Sequence, residues 1–235
     1  MELAIANYCL PRPDYVIGDV GTTIFEVTAD DWQLQQEWQE EIAPDWAGLA
    51  RADISALLDG IKLLQLQETA KQNIHKLSYD VPLYADHVSL LAEVRQCLEK
   101  HDVNAGLVWS VDEPAGIGLL DVLPSRANKL HAVEFLMQQC GFSYADTVFA
   151  GDSGNDLPVL ASAIPAVLVA NASKDVRAAA QHQAAALGHS GQLYLAGGGL
   201  LGMNGNYSAG VLEGIVHFIP RTEAWLEHLP VGQTE

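Results

Sequence analysis

The sequence predicts an α/β protein in which an open, mostly parallel sheet is joined to a smaller α+β layer. Three observations carry this. From Ser125 onward, short apolar runs alternate with helical segments, the rhythm of a parallel sheet. One of those runs, Val148–Ala150, stops abruptly at Gly151 and opens into an acidic turn, G-D-S-G-N-D. Between about residues 28 and 120, helices alternate with strands of the half-buried, antiparallel kind.

Taken in order, Met1–Leu10 has a helical composition and ends at Pro11-Arg12-Pro13. Tyr15–Ile17 reads as a buried strand, Gly18–Gly21 as a tight turn, and Thr22–Phe25 as a second short strand. From Asp30 to Gly60 the spacing of Leu34, Trp38 and Ile42 predicts a helix, interrupted at Pro44. Ile54, Leu57, Leu58 and Ile61 predict another. Trp32, Trp38 and Trp46 read as packed core, with an aromatic ligand wall as the alternative. Ile74–Val81 alternates like a strand, with Lys76, Ser78 and Asp80 on one face. Val88–Leu98 is an amphipathic helix, and Ala105–Val111 and Ile117–Leu123 are strands joined through Asp112-Glu113-Pro114. Asn128–Gln139 is a helix, Asp156–Ala163 another, Ala166–Ala170 a strand ended by Asn171, and Lys174–Ala186 an alanine-rich helix. Leu193–Ala196 and Tyr207–Phe218 supply a last strand and a closing helix.

Composition limits the function. Of 235 residues, 49% are hydrophobic and 18% charged, so a sizeable core is available and disorder is disfavoured. The net charge of −18 disfavours nucleic acid and anionic membranes as partners. An anionic substrate must therefore meet a local positive site or a bound cation. Cys9, Cys97 and Cys140 form no C-x-x-C and read as buried thiols in a reducing compartment. No apolar run reaches membrane-spanning length, and no basic region followed by an apolar stretch opens the chain. These features predict a cytoplasmic protein.

The chemistry concentrates in Thr147–Asp156. Asp152, Asn155 and Asp156 offer two carboxylates and an amide oxygen at the end of a buried strand, a donor set that suits a hard cation such as Mg²⁺. The alternative is a polar loop whose Asp and Asn serve turns and a helix N-cap. Lys129 falls in the first turn of its helix, where the dipole disfavours a cation, so it either serves an anion or is a surface lysine. Lys76 likewise reads as solvated or functional. Gly197–Gly202 matches G-x-G-x-x-G but lacks the following helix and acid of a dinucleotide site, and reads as a mobile loop. No zinc spacing of histidines and no G-x-S-x-G elbow is present.

Lys129 followed some twenty residues later by G-D-S-G-N-D resembles the haloacid dehalogenase superfamily. Four segments sharpen this: P-D-Y-V-I-G-D-V-G-T-T-I (Pro13–Ile24), Q-N-I-H-K-L-S-Y (Gln72–Tyr79), L-L-D-V-L-P-S-R-A-N-K (Leu119–Lys129) and S-A-G-V-L-E-G-I-V-H-F (Ser208–Phe218). In this order they resemble the sucrose-phosphate phosphatase branch. The resemblance implies a doubly wound, mostly parallel Rossmann-like core from residues 1–27 and 120–235, and an inserted α+β cap from 28–119. It implies Asp152, Asn155 and Asp156 at a Mg²⁺, Lys129 on the phosphoryl group, and Lys76 with Asn171 on the sugar phosphate. It also implies hydrolysis of sucrose 6-phosphate through an aspartyl-phosphate; mannosyl-3-phosphoglycerate is a less favoured substrate.

One departure changes the expectation. The family's nucleophile and acid/base aspartates lie in a D-x-D-x-T string, and a T-G-R string follows. Asp19-Val20-Gly21-Thr22-Thr23 is only a near-match, with Gly21 at the second acid. The expectation is therefore an N-terminally shortened enzyme, inactive or nearly so by itself. The alternative is a non-catalytic sugar-phosphate-binding or regulatory module associated with a sucrose-phosphate synthase.

Overall fold

A computed structural model describes residues 2–8, 10–29 and 31–226. The chain divides into two compact units, Met1–Ala132 and Val133–Glu235.

The first unit begins with α1 (Glu2–Tyr8) and a three-stranded antiparallel sheet of β1 (Tyr15–Gly18), β2 (Thr23–Val27) and β3 (Trp32–Leu34), in that spatial order. Helices α2 (Gln36–Ile42) and α3 (Arg51–Leu58) follow, separated by a 3₁₀ turn that carries Pro44. Next come β4 (Gln65–Leu66), β5 (Leu77–Pro82), α4 (His87–Glu99), β6 (Ala105–Asp112) and β7 (Ile117–Pro124). The four strands form one antiparallel sheet in the order β4-β5-β7-β6. Its buried face follows the two periods of the sequence. Leu77, Tyr79 and Val81 alternate along β5, and Leu120 and Val122 along β7. They pack against Ile54 and Leu58 of α3 and Leu90, Val94 and Leu98 of α4. Asp86 starts α4 by accepting from the Val88 and Ser89 amides. Trp38 and Trp46 are buried, as expected of core residues, while Trp32 is half-buried.

Helix α5 (Lys129–Cys140) leads into the second unit. There β8 (Phe149–Gly151), β9 (Ala166–Leu168) and β10 (Leu193–Leu195) form a parallel sheet in the order β10-β9-β8. Helices α6 (Leu157–Leu160), α7 (Lys174–Ala186), α8 (Tyr207–Phe218) and α9 (Glu223–Leu226) complete it. Strand β9 is covered on both faces. Ala166 and Leu168 pack with Leu160 of α6 and Ala180 of α7. Val167 meets α8, whose Gly214 lies so close that an added Cβ would fall 2.4 Å from Val167 Cβ. Helices on both sides of a parallel sheet are the doubly wound arrangement. Among the described residues no helix is long and apolar enough to cross a membrane.

Several local expectations give way to tertiary pairing. Leu34 lies in β3 opposite Phe25, not on the helix with Trp38 and Ile42. Ile74–Lys76 form a turn before β5 rather than its first residues, because the Asn73 side chain accepts from the His75 amide and Asn73 pairs with Lys76 across a short bridge. The helix expected over Asp156–Ala163 shortens to a 3₁₀ turn plus α6. Cys97 and Cys140 are half-buried rather than buried, and Cys9, like Met1 and Asp30, lies outside the described residues.

Candidate active site

In the second unit, β8 delivers the chain to Gly151, and the acidic turn begins. Gly151 is required there: a Cβ would sit 2.7 Å from the Asp156 carboxylate, which folds back over it. Asp156 is buried, and its Oδ2 accepts from the Asp152 amide at 3.1 Å, the Ser153 amide at 3.1 Å and the Ser153 hydroxyl at 2.9 Å. The carboxylate thus fills a nest of backbone donors and fixes the loop. Asn155 Oδ1 lies 2.8 Å from the same Ser153 hydroxyl, whose single proton the two acceptors share. Asp152 is exposed, and its Oδ2 accepts from Asn171 Nδ2 at 3.2 Å. Asn171 stands just beyond β9, and its Oδ1 accepts from the Tyr207 amide at 2.7 Å. Asp152, Asn155, Asp156 and Asn171 are therefore gathered at the carboxyl ends of β8 and β9, where open α/β sheets hold ligands.

As a cation site this is one side of a coordination shell. The exposed Asp152 carboxylate and the Asn155 amide oxygen are hard donors that fit Mg²⁺, which takes few protein ligands and keeps several waters. Asp156, with an oxygen committed to three donors, shapes the loop that carries them. Among the described residues no three His, Cys, Asp or Glu side chains cluster closely enough to hold a metal by themselves.

The two lysines belong to the first unit. Lys129 opens α5, with Asn128 as its cap: the Asn128 side chain accepts from the His131 amide at 3.0 Å. Lys76 is largely buried, and its Nζ lies 3.6 Å from Asp19 Oδ1. Asn73 completes this group by donating to Asp19 Oδ2 at 3.0 Å and to Thr22 Oγ1 at 2.7 Å. Asp19 sits in a turn with positive φ at three successive residues, +49° at Asp19, +61° at Val20 and +99° at Gly21. Gly21 packs so tightly on the residue before Lys129 that a Cβ would come within 3.0 Å of the Asn128 backbone. The strained turn thus ties the Lys76 pair to the start of α5.

The first unit also holds a second polar network. Asp45, buried, accepts from the Arg126 amide at 2.7 Å and from Arg126 Nε at 3.2 Å; Arg126 Nη1 reaches Glu41 at 3.2 Å. His75 places Nδ1 2.9 Å from Gln39 Oε1, and burial lowers its pKa. Sequence reasoning singled out the lysines, weighed Asp19 only against the nucleophile string, and passed over Asn73 and Asp45. The only trace of Asp19 in the sequence was its near-match to the nucleophile string, which assigns it a different role.

A parallel sheet covered on both faces, an exposed carboxylate at its strand end and a separate antiparallel layer are the features of a haloacid dehalogenase-like fold. The same fold is seen in the sucrose-phosphatase of Synechocystis sp. PCC6803, solved with sucrose and phosphate. The two are 24% identical with a TM-score of 0.67, covering 92% of this chain and 79% of that one. More narrowly, residues 1–219 match the sucrose-6F-phosphate phosphohydrolase family, and the chain belongs to it. A HAD-like hydrolase of Nitrosococcus oceani is 52% identical over 227 residues, 97% of this chain; the chain spans only 61% of that relative's length. A mannosylfructose-phosphate phosphatase of Agrobacterium fabrum is 28% identical over 210 residues, 89% of this chain and 74% of that protein.

Proposed function

We propose that this chain is the substrate-reading and cation-holding part of a Mg²⁺-dependent sugar-phosphate phosphatase whose substrate is sucrose 6-phosphate. The observation that carries this is the exposed Asp152 carboxylate, oriented by Asn171 above a loop that Asp156 locks from below. In this reading residues 1–27 and 120–235 belong to the phosphatase core and 28–119 to a cap. Asp152 and Asn155 hold the cation, which when bound offsets charge on the phosphoryl oxygens. Lys129 meets the phosphoryl group as a point charge. Lys76 exchanges its Asp19 partner for the anionic substrate. The protein works in the cytoplasm.

The family's phosphoryl transfer needs an aspartate nucleophile. These 235 residues contain no D-x-D-x-T and no T-G-R string. Chemistry therefore requires a nucleophile that none of the residues assigned above supplies. The same observation favours a second reading, a binding or regulatory module that meets sugar phosphate beside a sucrose-phosphate synthase without hydrolysing it. Calorimetry with sucrose 6-phosphate and Mg²⁺, run alongside a phosphate-release assay, tests both. Binding without turnover, weakened about tenfold or more by Lys129→Ala through loss of a charge-assisted contact, is the expected result. No binding at millimolar ligand overturns both readings. Turnover abolished by Asp19→Asn shows that Asp19 is the nucleophile after all. An in-frame D-x-D-x-T strand encoded upstream separates the enzyme from the module.

A further inference from the structure

The glycine-rich stretch that follows β10 has no part in the function above, yet hydrogen bonds and one close backbone approach within the second unit tie it to Asp152. Glu213 of α8 is buried. Its Oε1 accepts from the Gly197 amide at 3.0 Å and the Tyr194 hydroxyl at 2.7 Å, and its Oε2 accepts from the Gly198 amide at 2.9 Å. Burial works to raise the Glu213 carboxyl, but the Gly197, Tyr194 and Gly198 donors outweigh it and leave the pKa lowered. The far end of the stretch is pressed onto this anchor: a Cβ on Gly205 would fall 2.6 Å from Gly198 N and 3.1 Å from Glu213 Oε2. Gly205 in turn accepts from the Ala170 amide at 2.9 Å, at the end of the β9 segment. Two residues later Tyr207, with φ of +48°, enters α8 and gives its amide to Asn171. Asn171 gives its own amide to Asp152.

An exposed aromatic residue in a left-handed conformation at the first position of a helix is costly and persists only where its surroundings demand it. What that conformation achieves here is visible. It aims the Tyr207 N–H at Asn171 Oδ1 and thereby leaves Asn171 Nδ2 as the end that must face Asp152. A carboxamide held at one end by a backbone donor cannot flip, so the carboxylate always meets a donor and never a carbonyl.

We propose that Asn171 is a positioning residue for Asp152, and that the 197–206 loop, clamped by Glu213, is the strut that sets it. Asn171 acts by fixing which way the carboxylate turns rather than by touching the substrate. This rests on the reading of Asp152 as a cation ligand. The partner behind a metal ligand typically governs affinity by about 10–100-fold. The strut places four glycines at positive φ, Gly198, Gly199, Gly202 and Gly205, in one short loop, a conformation that residues with a Cβ rarely adopt.

The test uses the full ¹⁵N-labelled chain and two independent readouts. The first is Mn²⁺ titration followed by paramagnetic broadening of the amides of residues 151–156. Asn171→Ala is expected to weaken Mn²⁺ about 10–100-fold, and Glu213→Gln by a smaller factor in the same direction. The second needs no metal. Asp152→Asn is expected to shift the Asn171 side-chain resonances, and Asn171→Ala to accelerate hydrogen exchange at the Tyr207 amide. Equal Mn²⁺ affinity in wild type and Asn171→Ala overturns the positioning role. Unmoved Asn171 signals in Asp152→Asn, a measurement that survives any folding defect at position 171, overturn the relay itself. If those signals move but wild type shows no broadening near Asp152, the cation reading fails while the relay stands.

Discussion

Two loops carry the candidate chemistry, and they are held in opposite ways. The turn over Asp152–Asp156 is relaxed: φ at Ser153 and Asp156 is ordinary, and one buried carboxylate gathers three donors. The turn over Asp19–Gly21 is strained: three successive residues sit at positive φ, and side chains from Asn73 and Lys76 clasp it from outside. The Asp156 nest in the first loop draws its donors from within five residues. The second exists only because distant residues insist on it. Pre-organisation by local hydrogen bonds suits a site that must present ligands; stored strain suits a site whose partner is exchanged when substrate arrives.

The largest expected effect comes from removing the local anchor. Asp156→Ala orphans the Asp152 and Ser153 amides and should cost about 3 kcal/mol, given 1.5–3 kcal/mol for a hydrogen bond to a charged group and incomplete additivity. Urea unfolding monitored in the second unit measures it. A loss below about 0.5 kcal/mol, the scale of a neutral surface change, would mean that the loop does not depend on its nest.

The strained turn should respond with the opposite sign. Val20 is β-branched, 44% exposed and at φ +61°, so it gives up little packing when replaced. Val20→Gly relieves about 1–2 kcal/mol of left-handed strain but frees the unfolded chain by about 0.5–1 kcal/mol, for a net gain of up to about 1.5 kcal/mol. Thermal denaturation should show a raised Tm. A lowered one would show that the turn is not strained and would erase the contrast between the two loops.

The smallest effect is one of pH, and it touches only the unit that holds the strained turn. Burial lowers the pKa of His75 from its ordinary 6.5. Between that ordinary value and the lower folded one, the unfolded state binds more protons, so stability rises with pH. The His75 contribution is fully present above about pH 6.5 and is lost as pH falls toward the folded pKa. His75→Gln should flatten that part of the stability profile, while signals from the second unit stay unchanged.

Much of the second unit was legible in the sequence. The strand and turn at 148–156 were marked by an apolar run breaking at Gly151, and α7 and α8 have the bounds expected of them, Lys174–Ala186 and Tyr207–Phe218. Periodicity and capping are local, and local interactions built those elements. The difference between the exposed Asp152 carboxylate and the buried, loop-holding Asp156 was not legible. Both are carboxylates in one string, and only the packing of Asp156 over Gly151 separates them.

What the sequence determined by itself was the class of fold, most of its helices and longer strands, and the loop where carboxylates collect, because hydrophobic period and glycine placement act over a few residues. What only the tertiary structure decided was the partnerships. Leu34 joins a sheet instead of a helix, Asp19 faces Lys76, and Asn171 links Asp152 to a glycine loop. The last two depend on groups far apart along the chain, whose contacts form only after non-local burial has overcome the entropy of closing the loops between them.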